Sequence, residues 1–262
     1  MQQSTSGNNQ DFIRQLATLA AIVGAFVINV LSNIFPLNGI NIGEISNTVF
    51  KEVLIIPANY AFAIWGLIYL GLFALGVYQF LPNQKNDPDL RKTGYLLVIA
   101  SVAQSIWVYL FLSKLFALSI IAMLGILIPL IIIYQRLEIG RNRVSKSKKL
   151  CLHAPISIYL SWISVATIVN VASALYFYGW NGWGFTNEVW TVIMLLAAAA
   201  ITTVMVIQYR DIAYAGVTVW AVIAIALKHW DNSLIRYAAL VLAIVLIVIT
   251  IIKNPRLIMG NG

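Results

Sequence analysis

The chain has 262 residues, of which 61% are hydrophobic and 10% charged, with a mean hydropathy of +0.86. A soluble domain has no use for so much apolar surface, so the composition places the chain among polytopic membrane proteins. Its formal net charge of +8 would point to nucleic acid in a soluble protein. Here the basic residues fall in loops and serve topology first, so no nucleic-acid partner is expected.

In chain order, residues 1–10 (MQQSTSGNNQ) are polar and uncharged and read as a disordered tail. The apolar run from Phe12 to Phe35 follows; it is long enough to span and has no clear cleavage site, so it reads as a retained first helix. Further spans are expected at about Asn59–Leu81, Gly94–Leu112, Leu115–Arg136, Pro155–Tyr178, Asn187–Tyr209, Ile212–Lys228 and Leu234–Ile252, which makes about eight helices. Ser113-Lys114 and Arg210-Asp211 are joints short enough to force antiparallel hairpins. The longest connection, Pro36 to Ala58, ends in an apolar Ile55-Ile56 before Pro57, which argues that it folds back over the bundle.

Thirteen of the 17 Lys and Arg lie on the side of the termini and of the loops after the second, fourth and sixth spans; four lie on the other. The positive-inside rule therefore places both termini and the RNRVSKSKK loop in the cytoplasm, as expected for a protein of a bacterial inner (plasma) membrane. That loop could also meet anionic lipid, but topology is the simpler role. Cys151 is the single cysteine, so no intrachain disulfide can form, and lipidation beside a helix end is the weaker reading.

Three helices carry aromatic residues at helical spacing. On the second, Pro57 sits just before the span, where a missing N–H costs nothing, followed by Tyr60, Phe62, Trp65 and Tyr69, the last three at steps of three and four. On the third, Gln104, Trp107 and Phe111 repeat those steps. On the fifth, Tyr159, Trp162, Ala166 and Asn170 share one face at steps of three, four and four. An asparagine at that depth is costly without a partner or a polar cavity. On periodicity alone, Asn170 with Ser164, Ala166 and Ser173 reads first as helix-to-helix glue. Trp180, Trp183, Trp190 and Trp230 lie near helix ends and suit interface anchoring; Trp65, Trp107 and Trp162 lie inside their spans, each beside a polar or small neighbour.

The order of these residues resembles the TspO/MBR family of tryptophan-rich sensory proteins. Tyr159 to Asn170 (YLSWISVATIVN) is similar to the family's YLxWxxxAxxxN. Pro57, Tyr60, Phe62, Trp65 and Tyr69 resemble PxWxFxxxWxxxY, with Tyr60 in place of tryptophan and Phe62 to Trp65 one residue shorter. Gln104, Trp107 and Phe111 resemble LNxxWSxxFF, with glutamine in place of asparagine. The resemblance covers about residues 12–180. It implies an all-α fold with a five-helix ligand-binding bundle over 1–180; family proteins end after that bundle, whereas this chain continues in a three-helix transmembrane extension over 181–262, read from its hydropathy.

The resemblance also implies a function. The family binds porphyrins such as protoporphyrin and haem, and in some members sterols, in a pocket beneath the first connection. The ligand-binding residues implied here are Pro57, Tyr60, Phe62, Trp65, Tyr69, Gln104, Trp107, Phe111, Tyr159, Trp162, Ala166 and Asn170. Flat apolar rings suit aromatic walls, and an amide can orient a polar edge. The expectation is a membrane protein binding a hydrophobic cyclic ligand, most simply a tetrapyrrole, for sensing, trafficking or stress control. Its partners are membrane lipid and that ligand, with no cofactor required and a homodimer allowed. A sterol fits less well, because no basic residue follows Tyr176 closely. The alternatives are a transporter of a small hydrophobic solute, for which no broken helix pair or repeat speaks, and an assembly protein. Light-driven porphyrin degradation is the one enzymatic reading the tryptophans permit; no nucleotide loop, metal cluster or intramembrane carboxylate pair is present.

In the last three spans, the alanine run 197–200 and AYAG at 213–216 suit close packing. Asp211 reads as a partner of Arg210 at a turn, and Lys228 as a snorkelling side chain. His153 and His229, near helix ends, suit interface placement better than haem ligation.

Overall fold

The computed structural model describes residues 3–84 and 87–255, with side chains from residue 9 onward. The chain is a bundle of α1 (Gln3–Ile34), α2 (Ile42–Thr48), α3 (Ile64–Tyr78), α4 (Pro88–Thr93), α5 (Leu96–Leu112), α6 (Phe116–Arg136), α7 (Lys146–Lys148), α8 (Ala154–Phe177), α9 (Asn187–Tyr209), α10 (Ile212–Lys228) and α11 (Ser233–Lys253). The eight long helices stand where the hydropathy places them. Six meet both the length and the apolarity of a membrane span, α3 doing so together with the 3₁₀ turn before it (Asn59–Tyr78, 20 residues), while α5 and α10 have 17 residues each, or about 25 Å, the lower limit for crossing.

The expected tail is corrected from residue 3 onward: Met1 and Gln2 lie outside the described residues, but α1 begins at Gln3. Once an apolar span has nucleated a helix, adding polar residues at its end costs little. The connection after α1 does fold back, and it contains α2, whose N-terminus is a capping box: Asn41 accepts from the Glu44 N–H at 2.9 Å and Glu44 accepts from the Asn41 N–H at 2.8 Å. Ile45, Phe50, Val53, Ile55 and Ile56 then bury themselves, each 6% exposed or less, against the ends of α5, α6 and α10. The two tight joints turn on left-handed backbone at Lys114 (φ 59°) and Arg210 (φ 52°).

The central post is α8, which packs against α3, α6, α9 and α10. It is entered through a π-turn, Lys149–His153, that joins it to α7, and Pro155 in its first turn lies against Gly71 of α3. Two apolar cores result. One is shared by α1, α3, α5, α6, α8 and α10; the other joins the connection 40–56 to α5, α6, α10 and α11. Both draw residues from either side of position 180.

Most of the charge pairing described sits at one end of the bundle. Lys148 bridges Asp87 at 2.7 Å and Asp89 at 2.8 Å, and Asp11 meets Arg91 at 2.6 Å. Burial alone would raise the Asp89 carboxyl, but Lys148 and Lys92 outweigh it and hold it below its ordinary range. If the positive-inside rule governs, this end is cytoplasmic. A Ser145→Cys variant in a Cys151→Ser background should then react with a membrane-impermeant thiol reagent only after cells are opened; labelling of intact cells would reverse the orientation.

Asp211 departs from its expected role. No ion pair joins it to Arg210 among the described residues. Its Oδ2 accepts from the Tyr134 hydroxyl at 2.8 Å and from Ser157 at 2.6 Å, and its Oδ1 caps α10 through the Tyr214 N–H at 3.0 Å. Arg210, in a left-handed cap, is carried away from it while Asp211 is drawn inward to 7% exposure. Replacing Asp211 by Ala should therefore uncap α10 and strand two buried hydroxyls, lowering stability by about 1–3 kcal/mol or more. Thermal unfolding in detergent would read this, and an unchanged midpoint would refute it.

Candidate functional site

The three aromatic faces converge beneath α2. A small cavity of about 60 Å³ is walled by Phe62 and Trp65 from the α3 side, Gln104, Trp107 and Phe111 from α5, and Trp162, Ala166 and Asn170 from α8. Pro57 closes it from the connection, so nine of the twelve expected residues line one space. Sequence reasoning did not name the rest of the wall. Ile42 and Ser46 of α2 and Ile56 cover it, and Met123 and Ile126 of α6 form its floor. The N-x-x-E pattern of Asn41 and Glu44 is the signal that would have revealed α2 and its capping role.

The shortened spacing between Phe62 and Trp65 has a local explanation. Asn59–Ala63 forms a 3₁₀ turn, in which residues three apart eclipse one another. Phe62 and Trp65 therefore face the same way, and Phe62 meets Trp162 edge-on with ring centroids 5.9 Å apart. Tyr60, two residues earlier in the same turn, points elsewhere. It is 40% exposed and packs edge-on against Trp220 of α10 at 5.0 Å. Trp220 also donates to the Ala61 carbonyl at 3.2 Å, and the Ala58 N–H donates to the Ala224 carbonyl at 3.2 Å. The turn is thus held from behind by α10, a contact no motif announced.

Tyr69 and Tyr159 stand one layer behind the wall. Tyr159 donates to Gln104 Oε1 at 2.7 Å, Gln104 Nε2 donates to the Tyr69 hydroxyl at 2.5 Å, and Tyr69 donates to the Ala25 carbonyl at 3.1 Å. This relay ties α8, α5, α3 and α1 together. Asn170 is engaged as well: its Oδ1 accepts from Trp107 Nε1 at 2.8 Å, and its Nδ2 donates to Ser119 of α6 at 3.0 Å. Each amide has two donor hydrogens and two acceptor oxygen lone pairs, so each keeps capacity beyond these bonds. The arrangement offers aromatic faces and two oriented amides, and no charged side chain lines it. It is suited to holding an apolar ring system and less to moving protons.

Neither His153 nor His229 lines this cavity. Burial lowers the His229 pKa, with Lys228 beside it acting in the same direction and the Leu54 backbone opposing. Among the described residues, no group of three or more His, Cys, Asp or Glu side chains comes together to hold a metal ion.

Comparison with curated proteins and with solved structures found no significant match. The family model described as TSPO-like protein matches residues 15–252, which takes in α9, α10 and nearly all of α11 as well as the aromatic faces of α3, α5 and α8. With its eight apolar helices and a match over most of its length, the chain belongs to the TSPO-like family of membrane proteins.

Proposed function

We propose that the cavity beneath α2 binds a flat hydrophobic cyclic ligand, most simply a tetrapyrrole, and that the protein serves in sensing or trafficking that ligand. The observation that carries this reading is the convergence of Trp65, Trp107 and Trp162, from three different helices, on one space with two oriented amides at its edge. Aromatic walls recognise flat rings through stacking and edge contacts, and the amides select the orientation.

The volume sets a condition on this reading. Ligand pockets commonly enclose about 300–1,000 Å³, and this one encloses about 60 Å³. On this reading a ligand of tetrapyrrole size needs a wider space than this one. A ligand must displace wall residues, and the half-buried Phe62 and Ile42 are the least deeply held of those at the lid.

Protoporphyrin added to the protein in nanodiscs should quench tryptophan fluorescence saturably. Trp162→Ala should weaken that binding by about 1–3 kcal/mol, the scale of a lost buried aromatic contact. Trp190→Ala, in α9 and outside the cavity wall, should leave it nearly unchanged. Equal effects of the two substitutions, or quenching that never saturates, would mean partition into lipid. An effect of Trp190→Ala alone would move the ligand out of this cavity.

A further inference from the structure

A second cavity, of about 640 Å³, lies on the opposite face of α8, between its C-terminal half and the N-terminal half of α9. Its size falls inside the range of about 300–1,000 Å³ typical of small-molecule sites, without any rearrangement. Thr167, Ile168 and Val171 line it, whereas Ala166, Val169 and Asn170 of the same helix line the inner cavity. The two spaces are therefore separate, and α8 is the wall between them.

Two features give the outer cavity a chemistry of its own. The first is a fixed aromatic corner. Trp180 and Trp190 line the space with ring centroids 4.8 Å apart, and Trp183 packs on both at 5.5 and 5.8 Å. Trp190 Nε1 donates to the Gly182 carbonyl at 2.8 Å. Gly182 has a φ of +63°, and a side chain there would come within 3.1 Å of the Trp190 ring. Loop and indole are locked into one shape, which preorganises the corner.

The second feature is charge. Glu52 is the only charged residue on the wall; it is exposed, and among the described residues it forms no ion pair. A lone carboxylate disfavours anions and attracts cations, and indole faces add a further attraction for a desolvated cation. The rest of the lining is largely apolar, Leu54 and Met194 among it, so a small hydrated ion would gain little there.

We propose that this cavity is a second binding site, selective for a lipophilic organic cation whose apolar body fills the space between α8 and α9 and whose charge lies between Glu52 and the Trp180–Trp190 corner. The site is independent of the inner cavity, so it stands or falls apart from the tetrapyrrole reading.

Tetraphenylphosphonium and tetraphenylborate test this, because they share shape and size and differ in sign. Equilibrium dialysis against the full chain in zwitterionic nanodiscs, with empty nanodiscs subtracted, should show saturable binding of the cation and none of the anion. Glu52→Gln should weaken cation binding by about fivefold, the upper scale of an exposed ion pair. Glu52→Lys should reverse the preference toward tetraphenylborate, which a merely structural role for Glu52 would not produce. Trp180→Leu should weaken cation binding by a similar factor of about fivefold, and Trp162→Ala should not. Cation binding unaffected by either Glu52 variant, or equal binding of both ions, would overturn the proposal.

Discussion

Everything in this bundle depends on a requirement placed on α8. A helix surrounded by other helices inside a membrane has no water to satisfy its side chains, so each polar group on it needs a partner, either on its own backbone, as Ser164 and Thr167 have, or on a neighbour. The helix meets this with a ladder along its length. Ser157 donates to Asp211 at the α9–α10 joint, Tyr159 to Gln104 of α5, and Ser161 to the Tyr214 carbonyl of α10 at 2.7 Å; Asn170 pairs with Ser119 of α6 and Trp107 of α5. Single bonds between membrane helices contribute only about 0.6 kcal/mol on average, so the ladder's value is chiefly positional. Each rung suits one neighbour at one height and fixes the rotation of α8 about its axis. That rotation determines which residues face the inner cavity and which face the outer one.

The last three helices share in this. Ser161 and Thr218 lie 3.1 Å apart, Thr202 donates to Thr218 at 2.9 Å, and Trp220 and Ala224 hold the turn that carries Phe62. The aromatic face of α3 is thus supported on one side by the α1–α5 relay through Tyr69 and on the other by α10. The family match running to residue 252 agrees with this packing. In this chain the geometry of the site rests on helices that carry none of its motifs.

Much of the fold was legible because membrane spans announce themselves by hydropathy and short joints by length. The α5–α6 and α9–α10 hairpins needed no further information. The shared faces of α5 and α8 were legible for the same reason, since steps of three and four survive in any regular helix. What was hidden depended on departures from regularity or on partners distant in sequence. Tyr60, named from its place in a motif, lies inside a 3₁₀ turn that directs it toward Trp220 of α10, a partner 160 residues away. Asp211 took Tyr134, 77 residues away, over its neighbour Arg210, because the left-handed cap at 210 separates adjacent side chains. The amides of Gln104 and Asn170 are helix glue and cavity wall at once, and periodicity could not distinguish the two because both place the side chain on the same face.

The small volume of the inner cavity follows from how the connection above it is anchored. Ile45, Phe50 and Ile56 are each no more than 1% exposed, and carrying one such side chain into water costs about 1.5–3 kcal/mol. Lifting the whole connection would expose all three, so an open state of that kind would be very sparsely populated. A local movement of Phe62 and Ile42, with the anchors left in place, costs far less and still widens the space between α3 and α8. For a ligand that binds only the open form, apparent affinity is the intrinsic affinity scaled by the open fraction. On the proposed reading, residues that set this fraction would tune binding without touching the ligand, and the Asn41–Glu44 capping box and the Trp220 contact behind the turn are placed to do so. In this chain α10 holds the far side of the turn whose near side is the wall.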